Sequence, residues 1–345
     1  MRPEFGGSAS SPGGVNAVHG VSPVLVAMYG EVDGGRSHVL ADGSPSVAQV
    51  SFASEGADFD PDLDRDGAFL VFASTQHRAT ADIYRKSVTG TTVTQLTDDP
   101  ANDMMPSISP DGSRIAFASD RSGNWDIYVM PAAGGRPIQV SSDPDQELHP
   151  TWSPDGKMLA YCKHSAQSDL WELWVTEVEN PSVRHFIAYG LFPQWSPDPA
   201  KSRILFQRAR ERGSRLYGIW TIDYVGGEGL NPTEIVSASN AATMHPSWSP
   251  DGRRIAFTVV IEPDANGGEW PARSEIWTVN LDGSGRTPVV EGQCRNVQPY
   301  WGADGRVYFV SNRSGVENIW AALPLSGVAQ PAGYAEASTD GADAN

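Results

Sequence analysis

Imidazole, carboxylate and amide side chains recur at one phase of this sequence. The residue just before a repeated proline is, in turn, Asp60, Met105, His149, Phe192, His245 and Gln298. Two imidazoles with a carboxylate and an amide are a donor set suited to a divalent ion such as calcium, manganese or zinc. If the six positions form a ring, His149, His245, Gln298 and Asp60 are the candidate metal ligands. The other reading of the same residues is a polar, water-lined channel. No Lys or Arg stands at any of the six positions.

Other groups compete for attention. Asp60, Asp62, Asp64 and Asp66 precede Gly67 and mimic the start of a calcium loop, but a loop counted from Asp62 needs a glutamate where Ala73 stands. They read as turn formers or as a surface calcium site. Arg208, Arg210, Arg212 and Arg215, with Arg203 nearby, reverse the sign of an acidic chain and form a candidate docking patch. Trp270, in a long insertion among Pro263, Gly267, Gly268 and Pro271, is a candidate contact anchor. Cys162 and Cys294 lie in no CxxC spacing and read as structural filler.

A repeat positions these residues. One phrase runs as Pro, an apolar residue two positions on, Asp at plus five, usually Gly at plus six, then an apolar run. It begins at Pro61, Pro106, Pro150, Pro193, Pro246 and Pro299. The plus-five aspartates are Asp66, Asp111, Asp155, Asp198, Asp251 and Asp304, and only Pro199 replaces the glycine. Downstream of each copy lies an aliphatic–aromatic pair: Ile83-Tyr84, Ile127-Tyr128, Leu173-Trp174, Ile219-Trp220, Ile276-Trp277 and Ile319-Trp320. Short apolar runs parted by Gly, Pro and Asp read as antiparallel strands. Four strands in a unit of about 45 residues make a propeller blade. The expected fold is therefore all-β: a six-bladed β-propeller of four-stranded antiparallel blades. Val47 to Ser51 resembles the outer-strand phrases Val93 to Thr97 and Pro137 to Ser141, yet precedes the first inner strand. Residues 47–52 are thus expected to close the ring as the outer strand of blade six, with Val328 to Gln330 as the rival.

These phrases resemble the TolB-like six-bladed propellers, whose repeat is written P-x-W-S-P-D-G-x-x-I-A-F, then S-D-R-x-G, then D-I-Y. The second unit, Pro106 to Met130 with Ser119-Asp120-Arg121-Ser122-Gly123, matches almost throughout. The resemblance covers about residues 47–323. Propellers of this class serve as protein-docking modules, as gating domains of prolyl oligopeptidases and as metal-dependent oligogalacturonate lyases. The lyase resemblance implies a catalytic metal held by histidines and a glutamine in the central channel, and β-elimination there would need a base besides. The peptidase reading requires a G-x-S-x-G elbow. That motif is absent from the sequence, and a prolyl oligopeptidase is not expected.

Composition narrows the partners. Acidic residues exceed basic ones by 42 to 25, for a formal charge of −17. Such a chain repels phosphate backbones, so nucleic acid is not an expected partner. No stretch of 18 apolar residues is present, so no membrane-spanning helix is expected. Residues 1–20 and 324–345 are rich in Gly, Ala, Ser and Asp and are expected to be flexible tails, with 21–46 an N-terminal extension before the propeller at 47–323. We therefore expect a non-catalytic interaction module, an extrinsic scaffold subunit of a bacterial complex that binds protein through its tails and blade loops. Its expected place is the cytoplasm or the cytoplasmic face of a membrane assembly, such as an energy-transducing or photosynthetic one; a processed start would place it in the periplasm. The alternative is a metal-dependent lyase or hydrolase acting on acidic sugars.

Overall fold

A computed structural model describes residues 47–210, 216–261 and 273–324. Strand β1 (Val47–Gln49) comes first, followed by blade one, made of β2 (Asp58–Leu63), β3 (Phe69–Ser74), β4 (Asp82–Ser87) and β5 (Val93–Gln95). Blade two is β6 (Asp103–Ile108), β7 (Arg114–Ser119), β8 (Asp126–Pro131) and β9 (Ile138–Gln139). Blade three is β10 (Gln146–Trp152), β11 (Met158–Ser165), β12 (Leu170–Glu177) and β13 (Arg184–Tyr189). Blade four is β14 (Leu191–Trp195), β15 (Arg203–Ala209), β16 (Tyr217–Val225) and β17 (Glu228–Val236). Blade five is β18 (Ala241–Trp248), β19 (Arg254–Ile261), β20 (Glu275–Asn280) and β21 (Thr287–Val290). Blade six is β22 (Asn296–Trp301), β23 (Val307–Ser311) and β24 (Asn318–Ala322), completed by β1.

All six sheets are antiparallel with their strands in the order inner to outer, and the six inner strands neighbour one another around an axis. The second strand of each blade carries an aromatic residue at one equivalent place: Phe72, Phe117, Tyr161, Phe206, Phe257 and Phe309. Each is at most 2% exposed. Burying such a ring contributes roughly 1.5–3 kcal/mol, and six copies explain why the aromatic phase of the repeat is so regular.

The turns follow from their residues. In five blades the chain reverses over a Pro-, Arg- or Ala-led turn whose closing glycine has positive φ: Gly67, Gly112, Gly156, Gly252 and Gly305, at 65–81°. In the Ser-Pro-Asp-Gly copies proline presets the first corner and glycine accepts the left-handed one. The plus-five aspartate buttresses the turn. Asp111 Oδ1 accepts from Ser109 Oγ at 2.6 Å and from Ser113 N at 3.1 Å, and Asp155 and Asp251 repeat the pattern with Ser153 and Ser249. In blade one Asp64 takes the serine's place, accepting from Phe69 N at 2.8 Å.

The ring closes as the sequence predicts. Strand β1 pairs with β24, Val47 opposite Ala322, and the amides of Val50 and Ser51 both donate to Ile319 O. Ser51 Oγ accepts from Ile319 N, as Thr97 does from Ile83 N and Ser141 from Ile127 N in blades one and two. The ladder is shorter than the expected 47–52: it ends at Gln49, and Phe52 is 70% exposed. The rival strand at 328–330 lies outside the described residues.

Candidate functional site: the axial channel

Each inner strand contains the same irregularity. Its register with the second strand shifts across the residue before the landmark proline, between Phe59 and Asp62 in blade one and between Val297 and Tyr300 in blade six. At that residue Asp60, Met105, His149, Phe192, His245 and Gln298 all have φ between 48° and 54°. A left-handed non-glycine residue costs roughly 1–2 kcal/mol, and a following proline adds its own restriction. Six such residues in one ring are held there by the surrounding structure. The bulge turns all six side chains to the axis, where they line a cavity of about 350 Å³ that runs to the turns at one face.

The ring has two halves. In blades three to five, the His149 and Phe192 rings lie 3.9 Å apart, and Phe192 meets His245 edge-on at 4.6 Å. Burial pushes His245 down to about 3, and burial with the neighbouring His245 holds His149 well below its ordinary value. Both imidazoles are therefore neutral. In blades six, one and two, Gln298 Nε2 donates to Asp60 Oδ1 at 2.6 Å, Asp60 N donates to Gln298 Oε1 at 3.2 Å, and Met105 N donates to Asp60 Oδ2 at 3.1 Å.

The four candidate metal ligands thus share one channel but split into two groups. The Phe192 phenyl stands between the histidines, and Asp60 and Gln298 bond to each other. No cluster of three His, Cys, Asp or Glu side chains with metal-binding geometry occurs among the described residues. As arranged, the donor set does not fit a single ion. The calcium-loop aspartates also diverge: Asp60 faces the ring, Asp62 accepts from Ile108 N at 2.7 Å, and Asp64 closes the turn. Burial raises Asp62 to about 6.

One functional phase escapes the sequence reading, the residue after the landmark proline. In four seams its side chain accepts the amide of the next blade's plus-two residue: Asp62 from Ile108, Thr151 from Trp195, Gln194 from Trp248 and Ser247 from Trp301, at 2.7–3.3 Å. In the other two seams Trp152 Nε1 donates to Ser107 O and the Tyr300 hydroxyl to Leu63 O. Every blade seam is therefore stapled at the channel wall. The signal was present as an unbroken run of polar residues at that phase.

A second set of polar side chains lies three residues before five of the six landmark prolines, at Asp58, Asp103, Glu147, Thr243 and Asn296, with Gly190 in blade four. Arg121 grips the buried Asp103 carboxylate with both contacts at 2.8 Å while lying over Phe117 and Tyr128. Arg313 donates once, to Asn296 Oδ1 at 2.9 Å, while lying over Phe309 and Trp320. Blade three has Glu147 at this place with no such arginine. It is wholly buried, neither oxygen meets hydrogen-bond geometry, and burial, reinforced by Asp126 and Asp143, raises it to about 8.

The remaining candidates lie on the periphery. Arg203 pairs with Asp223 at 2.7 Å, Arg208 lies over Trp220, and Arg210 donates to Ala238 O. Arg212, Arg215, Trp270 and both tails fall outside the described residues, apart from Pro324. Cys162 is buried, its thiol pushed up by that burial, and neither cysteine is in a disulfide.

Comparison with known proteins matches this architecture. Dipeptidyl-peptidase 5 of Porphyromonas gingivalis is 38% identical over 90 residues, 26% of this chain and 12% of that protein, so the chain matches only a small part of that relative. A solved structure assigned as TolB from Agrobacterium tumefaciens superposes with a TM-score of 0.60 at 19% identity, covering 82% of this chain and 98% of that one. An oligogalacturonate lyase from Vibrio parahaemolyticus gives 0.55 at 14% identity, covering 83% and 95%. At these identities the likenesses show the fold alone. A family model described as the TolB beta propeller domain matches residues 34–224, more than half of the sequence. This chain belongs to the TolB β-propeller family.

Proposed function

We propose that the protein is a non-catalytic docking module, a scaffold subunit that receives an extended segment of a partner protein in its axial channel. The observation that supports this is the state of the channel wall. Several of its polar side chains are bonded to neighbouring blades, its two imidazoles are neutral, and proline, indole and phenyl surface lines the cavity alongside Asp60, Gln298 and the two histidines. Such a surface is suited to binding more than to proton transfer. The exposed arginines Arg208 and Arg210 offer a second contact to an acidic partner surface.

Size measurement of the protein extracted gently from its native source tests the reading. It should migrate in an assembly larger than its own 37.0 kDa. Migration as a lone monomer would count against it. The metal-dependent alternative draws on His149 and His245 facing one channel, and elemental analysis tests it: stoichiometric calcium, manganese or zinc would favour that reading over docking.

A further inference from the structure

The six ring residues divide by chemistry across the axis. Blades follow one another around the ring, so blade four stands opposite blade one. Asp60 on blade one is therefore across the axis from Phe192 on blade four, with Gln298 and Met105 flanking the first and His149 and His245 the second. Asp60, Gln298, His149 and Phe192 are half-buried, whereas Met105 and His245 are buried. One pole of the cavity thus presents a carboxylate and an amide, and the other a phenyl ring between two imidazoles.

Charge follows the same division. Among the described residues lining the cavity, the charged side chains are Asp60, Asp62, Asp64 and Arg65, all on blade one. Three carboxylates against one guanidinium make that wall anionic at neutral pH, and a cleft lined by one sign of charge concentrates the opposite ion. Two neutral donors, Gln298 Nε2 at 2.6 Å and the Met105 amide at 3.1 Å, fix the Asp60 carboxylate without cancelling its charge. The imidazoles of the opposite pole are kept neutral by burial and add no positive charge there.

Size sets the remaining limit. A cavity of about 350 Å³ lies at the small end of ligand sites, which run from roughly 300 to 1,000 Å³ and combine apolar walls with a few placed polar groups. A bare metal ion would leave the phenyl pole unused, and the donor set does not converge on one ion. An anion would meet the blade-one carboxylates, and a neutral ring would gain nothing from them.

Beyond the docking reading, we propose that the axial cavity binds a small arylalkylamine, its ammonium donating to Asp60 and the Gln298 amide oxygen and its ring packing against Phe192 between the histidines. An ammonium brings three donors, and charge-assisted bonds are the strong ones. The aromatic pole already shows the contact preferred between rings, since Phe192 meets His245 edge-on at 4.6 Å.

Phenethylamine, titrated into the full chain by isothermal calorimetry, is the probe. Phenethyl alcohol keeps the ring without the charge, butylamine keeps the charge without the ring, and phenylacetate reverses the charge. Phenethylamine should bind at least about tenfold more tightly than the alcohol or butylamine, and phenylacetate should not bind. Asp60→Asn should weaken phenethylamine about tenfold and leave the alcohol within about twofold; asparagine accepts the left-handed backbone of this position, so the ring geometry is kept. Phe192→Leu should weaken both ring-bearing ligands about fivefold and leave butylamine unchanged. In the wild-type protein the His149 and Met105 side-chain NMR resonances should shift with phenethylamine and not with phenylacetate, a readout that needs no variant to fold. Equal affinity for amine and alcohol, an amine affinity unchanged by Asp60→Asn, or unshifted resonances would overturn the proposal. If phenethylamine fails to bind while a partner is still captured from the native source, this assignment falls and docking stands.

Discussion

At the scale of single residues, the seams are set by small polar groups placed one position after a proline. Ser247→Ala removes the acceptor of the Trp301 amide and should cost about 1 kcal/mol, read as a lower denaturant midpoint with an unchanged slope. Glu147 gives a pH signature. Its carboxyl stays protonated in the fold up to about 8 but ionises near 4.5 in the unfolded chain. Between those values the native state holds the extra proton, so this contribution to stability is full below pH 4.5 and is lost as pH rises through 8. Glu147→Gln should flatten that alkaline slope and stabilise the protein at pH 8.5 by about 1–3 kcal/mol, measured by denaturant titration at pH 5 and 8.5. Neither residue stood out in the sequence. The staple joins residues 54 positions apart, and Glu147 becomes unusual only beside blades where an arginine serves the same position.

The element scale shows why strands were readable and their facing was not. The Pro-led strand, the turn and the Ile-Ala-Phe strand repeat in composition, so their existence follows from local pattern. Which way His149 or Asp60 points does not, because the left-handed residue before each proline adds one position to the inner strand and defeats alternate-side counting. Closure was legible for a different reason: Val50-Ser51 repeats the chemistry of Leu96-Thr97 and Val140-Ser141, where a hydroxyl accepts a backbone amide. The clasp itself is Asn318. Its side chain accepts from Ala53 N at 2.7 Å and donates to Ala53 O at 3.1 Å, tying the strand that closes the ring. Asn318→Ala should cost about 2–3 kcal/mol, with amide exchange accelerating first in β1 and β24.

For the whole molecule, the charge of −17 and the six acidic turns say little about function, since those aspartates are spent on turn geometry. The informative feature is the axis. Six strained residues face it, their polar neighbours knit the blades together, and an aromatic stack with neutral imidazoles fills one side. That combination makes a preformed cavity whose walls are also the blade seams. Quantitative mass spectrometry of material captured from the native source tests this most directly, comparing the wild-type chain with an Ala303→Trp variant whose indole fills the channel mouth. A protein partner should accompany the wild-type chain in near-stoichiometric amount and be lost from the variant, while both melt at similar temperatures. Equal retention by the two, or no partner with either, would contradict docking through the channel.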